Sequence, residues 1–232
     1  MPTGSVQSLH RWPVKSFGGE RLEALDLDAR GVPGDRAHAL WLKGDKRISA
    51  RLVPGLLRWS ARYDAPVDGT IPAPVLTAPD GATHRWGAAG LDRVLSADLG
   101  RDLALVRDEA GQQDLPNTVL VTLESTRAAL EEELGFPVDL RRFRPNIHVA
   151  GDLAPWAEAG WEGGRMRAGD AELELLHPCL RCAIVARDPD TNAKTGVVLK
   201  RLVREHDAIF GINARPLGPA TIHVGDPVEV LA

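Results

Sequence analysis

Apolar and polar residues alternate over short stretches in the first hundred positions. Leu25, Leu27 and Ala29 are interleaved with Asp26 and Asp28, a period of two that predicts a half-buried β-strand. Gly31-Val32-Pro33-Gly34-Asp35 supplies a turn, and Ala37, Ala39 and Trp41 alternate again before a second turn at Gly44-Asp45. A short helix is predicted over Val53 to Arg58. Beyond it Gly69, Pro72, Pro74, Pro79-Asp80-Gly81 and Gly87 cut the chain into pieces too short for long helices.

The second half mixes two periods. Val119 to Val121 is a compact apolar strand. Leu123, Leu130 and Leu134 share one helical face, Glu131 to Glu133 face water, and Gly135 closes the helix as a C′ residue. Arg144 to Val149 returns to strand, and Ala171 to Leu176 alternates as another. Val197 to His206 places Leu199, Leu202, Val203 and His206 at i, i+3, i+4 and i+7, a helical spacing. Thr221 to Val230 reads as two strands across a tight turn at Gly225-Asp226-Pro227. No repeat, low-complexity tract or long linker interrupts this order. The prediction is an α+β, mainly β, barrel-like protein with two or three helices.

The 232 residues make one large domain or two small ones packed together. With 44% apolar and 26% charged residues the chain has the balance of a soluble globular protein. The segment beginning at Met1 has no apolar signal-peptide run, and no unbroken apolar stretch approaches the ~20 residues that span a bilayer. A cytoplasmic protein without membrane partners is expected. Its formal net charge of −4, from 28 Lys+Arg against 32 Asp+Glu, argues against nucleic acid as a partner. Two Cys cannot by themselves build a disulfide scaffold or a four-Cys iron–sulfur or zinc site.

Four groups of residues carry candidate chemistry. Lys15 and Ser16, in Trp12-Pro13-Val14-Lys15-Ser16, and Arg36, in Gly34-Asp35-Arg36, have the point charge and the forked donor that hold phosphate. Alone, such residues are more often a solvated Lys and a strand-end Arg. Pro145 fixes its own φ and pushes Arg144 towards an extended backbone, so Arg144 and Asn146 project in a controlled direction, as in a binding strand or a charged strand edge. The Cys-x-x-Cys in His177-Pro178-Cys179-Leu180-Arg181-Cys182 reads as half a zinc site, a redox pair or buried inert thiols. A thiolate favoured by Arg181 and bound to a soft metal is a further alternative. Asp114 sits in the loop Gln112-Gln113-Asp114-Leu115-Pro116, where Asp is most often a turn former.

Taken together and in order, Pro13-Val14-Lys15-Ser16, Gly34-Asp35-Arg36, Arg142-Phe143-Arg144-Pro145-Asn146-Ile147, Cys179-Leu180-Arg181-Cys182 with Asp188-Pro189-Asp190-Thr191, and Val224-Gly225-Asp226-Pro227-Val228 resemble the MOSC family. The resemblance is strongest to the branch holding the mitochondrial amidoxime-reducing component and its bacterial relatives. It implies a MOSC N-terminal-like β region over residues 1–107 packed against a MOSC β-barrel over 108–232. It implies the molybdenum cofactor (Mo-molybdopterin), with the Cys182 thiolate on the metal. Lys15, Ser16 and Arg36 would meet the phosphate end, Arg144 and Asn146 the pterin, with Arg181 beside them. Asp114 would lie near the open face of the metal, so Cys182 and Asp114 are the catalytic candidates. Pyridoxal phosphate is not expected, because no Lys matches the Schiff-base motif of the full-length sulfurases. The implied activity is an oxidoreductase that reduces N-hydroxylated compounds such as amidoximes, hydroxylamines and N-hydroxylated bases. A non-catalytic cofactor carrier or sulfur-transfer module is the alternative. No haem, flavin or iron–sulfur signature is visible, so electrons would come from a separate ferredoxin-, flavodoxin- or cytochrome-like protein. Lys15, Ser16, Arg36, Arg144, Asn146 and Cys182 are expected to converge on one cleft between the two regions.

Overall fold

A nine-residue strand at the start of the chain, β1 (Thr3–Arg11), closes the larger of two β structures. It pairs antiparallel with β11 (Ile147–Asp152) on one side and β16 (Pro227–Leu231) on the other. From β11 the circuit runs through β10 (Val119–Leu123), β14 (Ile209–Pro216), β13 (Ala171–Leu180) and β12 (Arg165–Ala168) back to β16. The result is a closed seven-stranded barrel, which leaves no long open edge. The computed structural model describes residues 3–43, 46–108 and 116–231. The turn expected at Gly44-Asp45 lies outside them.

All pairings in the barrel are antiparallel except β10 with β11. Parallel neighbours need a crossover, and α2 (Glu124–Leu134) provides it. Every residue of β10 is buried, because one face fills the barrel and the other lies beneath helices. Val6, Leu9, Val121, Ile147, Leu173 and Ile212 are among the fully buried side chains of the barrel interior. A second layer under α2 and α3 (Val197–Glu205) holds Leu130, Val198, Leu202, Phe143 and Phe210. The last two rings stack nearly parallel, with centroids 3.6 Å apart.

The remaining strands are short. β2 (Glu20–Leu22) extends from β1, and β3 (Ala24–Leu27) pairs with β15 (Ala220–His223). β4 (His38–Leu42) lies between β5 (Lys46–Arg47) and β9 (Leu103–Arg107). β6 (Ser60–Arg62), β7 (Val75–Thr77) and β8 (Thr83–Arg85) form a meander. Phe17, Leu40, Trp59, Leu76, Leu91 and Leu95 fill a separate core between them. The last two belong to α1 (Leu91–Leu99), a helix the Gly/Pro punctuation did not announce because Gly90 and Gly100 bound it on both sides.

Three boundaries differ from expectation for local reasons. Leu123 ends β10 rather than starting the helix, since its side chain is fully buried in the barrel. The segment Pro54–Arg58 is a 3₁₀ turn with Pro in its first turn. β13 continues past Leu176 to Leu180, tolerating Pro178 because its register with β14 slips on either side of that residue. One extra residue lies on β13 between Leu175 and Pro178, and one on β14 between Ile209 and Ile212. The β14 irregularity contains Gly211, at φ +83 with a Cβ site only 2.6 Å from the Val121 carbonyl oxygen. Gly211→Ala should therefore cost at least ~2 kcal/mol, the left-handed penalty plus backbone displacement. Gly100→Ala, at φ +62 with nothing within 4 Å, should cost about 1 kcal/mol. Urea unfolding of the two variants beside the parent checks the difference, and equal losses would remove the steric part of the explanation.

Candidate functional site

The segment Phe143-Arg144-Pro145-Asn146 leads from the 3₁₀ turn Leu140–Arg142 into β11, and it organises the site. Each of its four carbonyl oxygens accepts a hydrogen bond, and the donors come from three separate parts of the chain. Arg181 Nη2 donates to Phe143 O at 2.7 Å, Arg36 Nη2 to Arg144 O at 3.3 Å, Trp12 Nε1 to Pro145 O at 2.9 Å, and His10 N to Asn146 O at 2.8 Å. The Asn146 carboxamide is clamped as well: Nδ2 donates to His10 O (3.2 Å) and Oδ1 accepts from Leu120 N (3.0 Å). Behind them Asp35, almost fully buried, accepts from Trp12 N at 2.7 Å and pairs with Arg36. On the other side Arg142 bonds Asp188 (3.1 Å) and Arg141 grips Asp190 with both terminal nitrogens (2.8 and 2.7 Å), so the Asp188-Pro189-Asp190-Thr191 loop is stapled to the same segment.

Arg144 was expected to be extended; it adopts φ +56. Tertiary contacts override the local preference. Its guanidinium lies 4.2 Å from the Trp12 ring centroid and donates from Nη1 to Phe17 O at 2.6 Å, while its carbonyl is held by Arg36. Ser16 (φ +70) and Arg36 (φ +51) are also left-handed. Such non-glycine conformations cost of order 1–3 kcal/mol each and gather at functional sites.

These segments border a cleft of about 440 Å³. Lys15, Ser16, Arg36, Ser49 and Arg51 line it from the first half of the chain. Arg144, Asn146, Arg181 and Cys182 line it from the second, with Cys179 beside them. Asp114 lies outside the described residues. His177, which opens the cysteine motif, lines the cleft too, as do Arg51, Ser49 and Asn213, which were not singled out from sequence. Only Ser49-Ala50-Arg51 had a findable signal, a small-residue turn ending in Arg. Ser16 Oγ accepts from Ala50 N at 3.0 Å, which docks that turn and leaves the Ser16 hydroxyl proton to donate elsewhere.

Among the described lining residues five are Lys or Arg and none is Asp or Glu, in a chain whose net charge is −4. Arg144 is buried, and that burial, with the neighbouring Arg36 among the charges around it, pushes its pKa down to about 9, so it stays a cation at neutral pH. Two buried guanidinium nitrogens here, Arg144 Nη2 and Arg181 Nε, have no hydrogen-bond partner among the described residues, although buried donors are almost always paired. Arg181 was expected to favour a thiolate in its motif; its terminal Nη1 donates to Cys179 Sγ at 2.9 Å. Cys182 instead precedes the 3₁₀ turn Ala183–Ala186. From that turn Ile184 packs on the first-half core and Val185 on the helix-covered core. Both thiols are half-buried.

The first strand closes the barrel, and among the described residues the cleft is lined by two thiols and five cationic side chains and by no carboxylate. Residues 112–229 match the MOSC domain and residues 3–89 match the MOSC N-terminal beta barrel domain; the chain belongs to the MOSC family. It is 25% identical to mitochondrial amidoxime-reducing component 1 of Homo sapiens over an alignment of 285 positions, covering 98% of this chain and 83% of that protein. It is 24% identical to mitochondrial amidoxime reducing component 2 of Bos taurus, covering 97% and 82%. The fold is similar to the crystal structure of the YUAD protein from Bacillus subtilis, with a TM-score of 0.53 across 98% of this chain and 95% of that one at 14% identity. Among the described residues no helix is long and apolar enough to cross a membrane.

Two histidines beside the cleft make its scaffold sensitive to acid. His10 holds Asn146 through its backbone, and the backbone of His38 bonds Pro13 and Lys15. Burial is the main cause that lowers each imidazole to about 4, with Arg21 adding to it at His10 and Arg107 at His38. A lowered folded-state pKa means that unfolding takes up a proton. The stabilisation is complete above about pH 6.5 and is lost as pH falls towards 4, at about 1.4 kcal/mol per pH unit for each histidine. Urea midpoints measured between pH 4 and 7.5 should follow that slope, and His38→Gln should remove one proton from it. An unchanged slope would contradict the assignment.

Proposed function

We propose that this cleft binds the molybdenum cofactor and that the protein reduces N-hydroxylated compounds with electrons from a separate donor protein. The observation that carries this reading is the pair of unpartnered buried donors, Arg144 Nη2 and Arg181 Nε, beside an accessible thiol. A phosphorylated pterin supplies the acceptors they lack, and molybdenum is a soft metal suited to a thiolate. Among the described residues no group of three or more His, Cys, Asp or Glu is gathered to hold a metal ion, which suits a metal whose other ligands arrive with its cofactor. The amidoxime-reducing names of the relatives point to the same substrates.

In this reading Lys15, Ser16 and Arg36 hold the phosphate end. Ser16 and Arg36, both with left-handed backbone, line the cleft there, and Asp35 pairs with Arg36. Arg144 meets the pterin from its seat on Trp12, while Asn146 braces that seat and offers its remaining amide hydrogen. The Cys182 sulfur ligates the metal; Cys179, bonded to Arg181, does not. When bound, the metal supplies two-electron redox chemistry. Overall the substrate N–O bond is broken with two electrons and two protons, giving the amine or amidine and water. Asp114 positions the N-hydroxy group or relays one of those protons. A boundary near residues 107 and 108 separates the phosphate-holding region from the thiol-bearing one.

Cys182→Ser should lose bound molybdenum and turnover while keeping the β fold, whereas Cys179→Ser should keep metal and substantial activity. Asp114→Asn should retain cofactor and lose roughly 10²-fold in rate, the size of a missing acid–base group. Metal content and reduction of benzamidoxime with an artificial electron donor are measured for all three. Full metal and activity in Cys182→Ser would overturn the ligand assignment. Bound cofactor without reduction in the parent would replace the enzyme by a cofactor carrier.

A further inference from the structure

Three large apolar side chains that this fold leaves exposed flank the 3₁₀ turn Ala183–Ala186, which follows Cys182. Leu180, two residues before Cys182, is 72% exposed, and Val197 and Val203 of α3 are 43% and 56% exposed. Backbone hydrogen bonds fasten α3 to the thiol-bearing segment at both ends. Thr195 N donates to Ala186 O at 2.7 Å just ahead of the helix, and Arg181 N donates to Ala208 O at 2.7 Å just beyond it. Val198 and Leu202 face inward and share a core with Val185 of the turn. The opposite face therefore carries Val197, Lys200, Val203 and Arg204, at i, i+3, i+6 and i+7, and all four are exposed.

The same face is cationic. From Lys194 to Asp207 four Lys or Arg stand against two acids, a net charge of +2 in a chain that carries −4 overall. Arg201 turns aside and donates to Glu133 O at 3.2 Å, while Lys194, Lys200 and Arg204 are exposed. We propose that the exposed face of α3, together with Leu180, docks the electron donor, a small redox protein whose cofactor edge is ringed by carboxylates. This rests on the reductase reading above and names the surface and the chemistry of its partner.

Place and charge both favour that occupant. A helix with its side chains is about 10–12 Å across, so a donor seated on α3 stands about one helix width from the turn after Cys182, a span electrons cross between protein-bound centres. Opposite potentials speed the encounter and reject wrong partners. Reduction of one substrate consumes two electrons and leaves the donor oxidised, so the donor must leave and be replaced. Two valines and a leucine among cations suit such a small, brief contact. A second copy of this chain related by a two-fold axis would set Lys200 and Arg204 against their own counterparts. A membrane surface would need the apolar side of the helix, and Val198 and Leu202 are committed to the core.

The test presents the full chain with three redox proteins: flavodoxin and a plant-type two-iron ferredoxin, both acidic, and cytochrome c, which is basic. By calorimetry at least one acidic probe should bind saturably, and cytochrome c should not. Raising salt from about 0.01 to 0.1 M shortens the screening length from about 30 to 10 Å and should weaken that binding about tenfold. Lys200→Glu should weaken it about tenfold at low salt and flatten its salt dependence. Val203→Ser should weaken it about fivefold and leave the salt dependence as in the parent. In the cofactor-loaded enzyme, Lys200→Glu should raise KM for the bound probe about tenfold when that probe drives benzamidoxime reduction. Binding by neither acidic probe, or equal binding by the parent and Lys200→Glu, overturns the proposal even where a small artificial donor drives reduction. So does a bound, reduced probe that drives no turnover where the artificial donor does. Self-association, or binding to phosphatidylserine vesicles, that Lys200→Glu abolishes while the probes stay unbound gives the face to a second copy or a membrane instead. If docking holds and the loaded parent reduces no N-hydroxy compound with any donor, the surface stands and the reductase reading falls.

Discussion

Three consecutive carbonyl groups, from Arg144 to Asn146, tie the two halves of this protein together, and Arg181 holds the preceding carbonyl of Phe143 from within the second half. The donors come from β1 and the residue that follows its end, from the turn before β4, and from just past β13, segments far apart in sequence. A buried carbonyl left unpaired costs about 1–3 kcal/mol, so these bonds specify one arrangement of barrel and first-half region. They also explain why the site lies where it does. The donors at Arg36 and Arg181 are cations, and the segment they clamp carries a third cation, Arg144, into the same space. The clamp gathers three guanidinium groups, with Asp35 paired to Arg36 behind them.

That concentration runs against the rest of the molecule. The chain is acidic overall, and its exposed ion pairs, such as Lys43 with Asp102 and Arg85 with Asp64, add little stability. In the cleft the balance reverses. Arg144 is buried over an aromatic face, with Arg36 among its neighbours, an arrangement unfavourable for stability alone. Three left-handed residues add to that cost. Strain and unpaired charge at one place are intelligible when a ligand repays them on binding.

Much of this was legible in the chain. The alternation at Leu25 to Ala29, the helices closed by Gly135 and His206, and the barrel character of the second half follow from periods and turn residues, which local sterics enforce. The membership of β1 in the barrel did not, because its pairing partners lie more than 130 residues away and local pattern is silent about partners. Lys15, Ser16, Arg36, Arg144, Asn146, Arg181 and Cys182 were findable because each sits in a short motif. Asn213 was not, because the pairing of β14 with β13 brings it to the cleft and no spacing within its own strand reveals it. The conformation of Arg144 was misjudged for a related reason: Pro145 sets a local preference, and the Trp12 face and the Phe17 carbonyl outweigh it.

The central claim is that the clamp builds a seat for a phosphorylated, sulfur-ligated cofactor. Diffraction from crystals of the cofactor-loaded protein, collected on both sides of the molybdenum absorption edge, tests it most directly. The account predicts one anomalous peak at bonding distance from Cys182 Sγ, with phosphate density against Arg36 and the open Nη2 of Arg144 in contact with the pterin. A molybdenum peak on Cys179 or outside the cleft, or a bound cofactor that leaves Arg144 Nη2 without a partner, would contradict it.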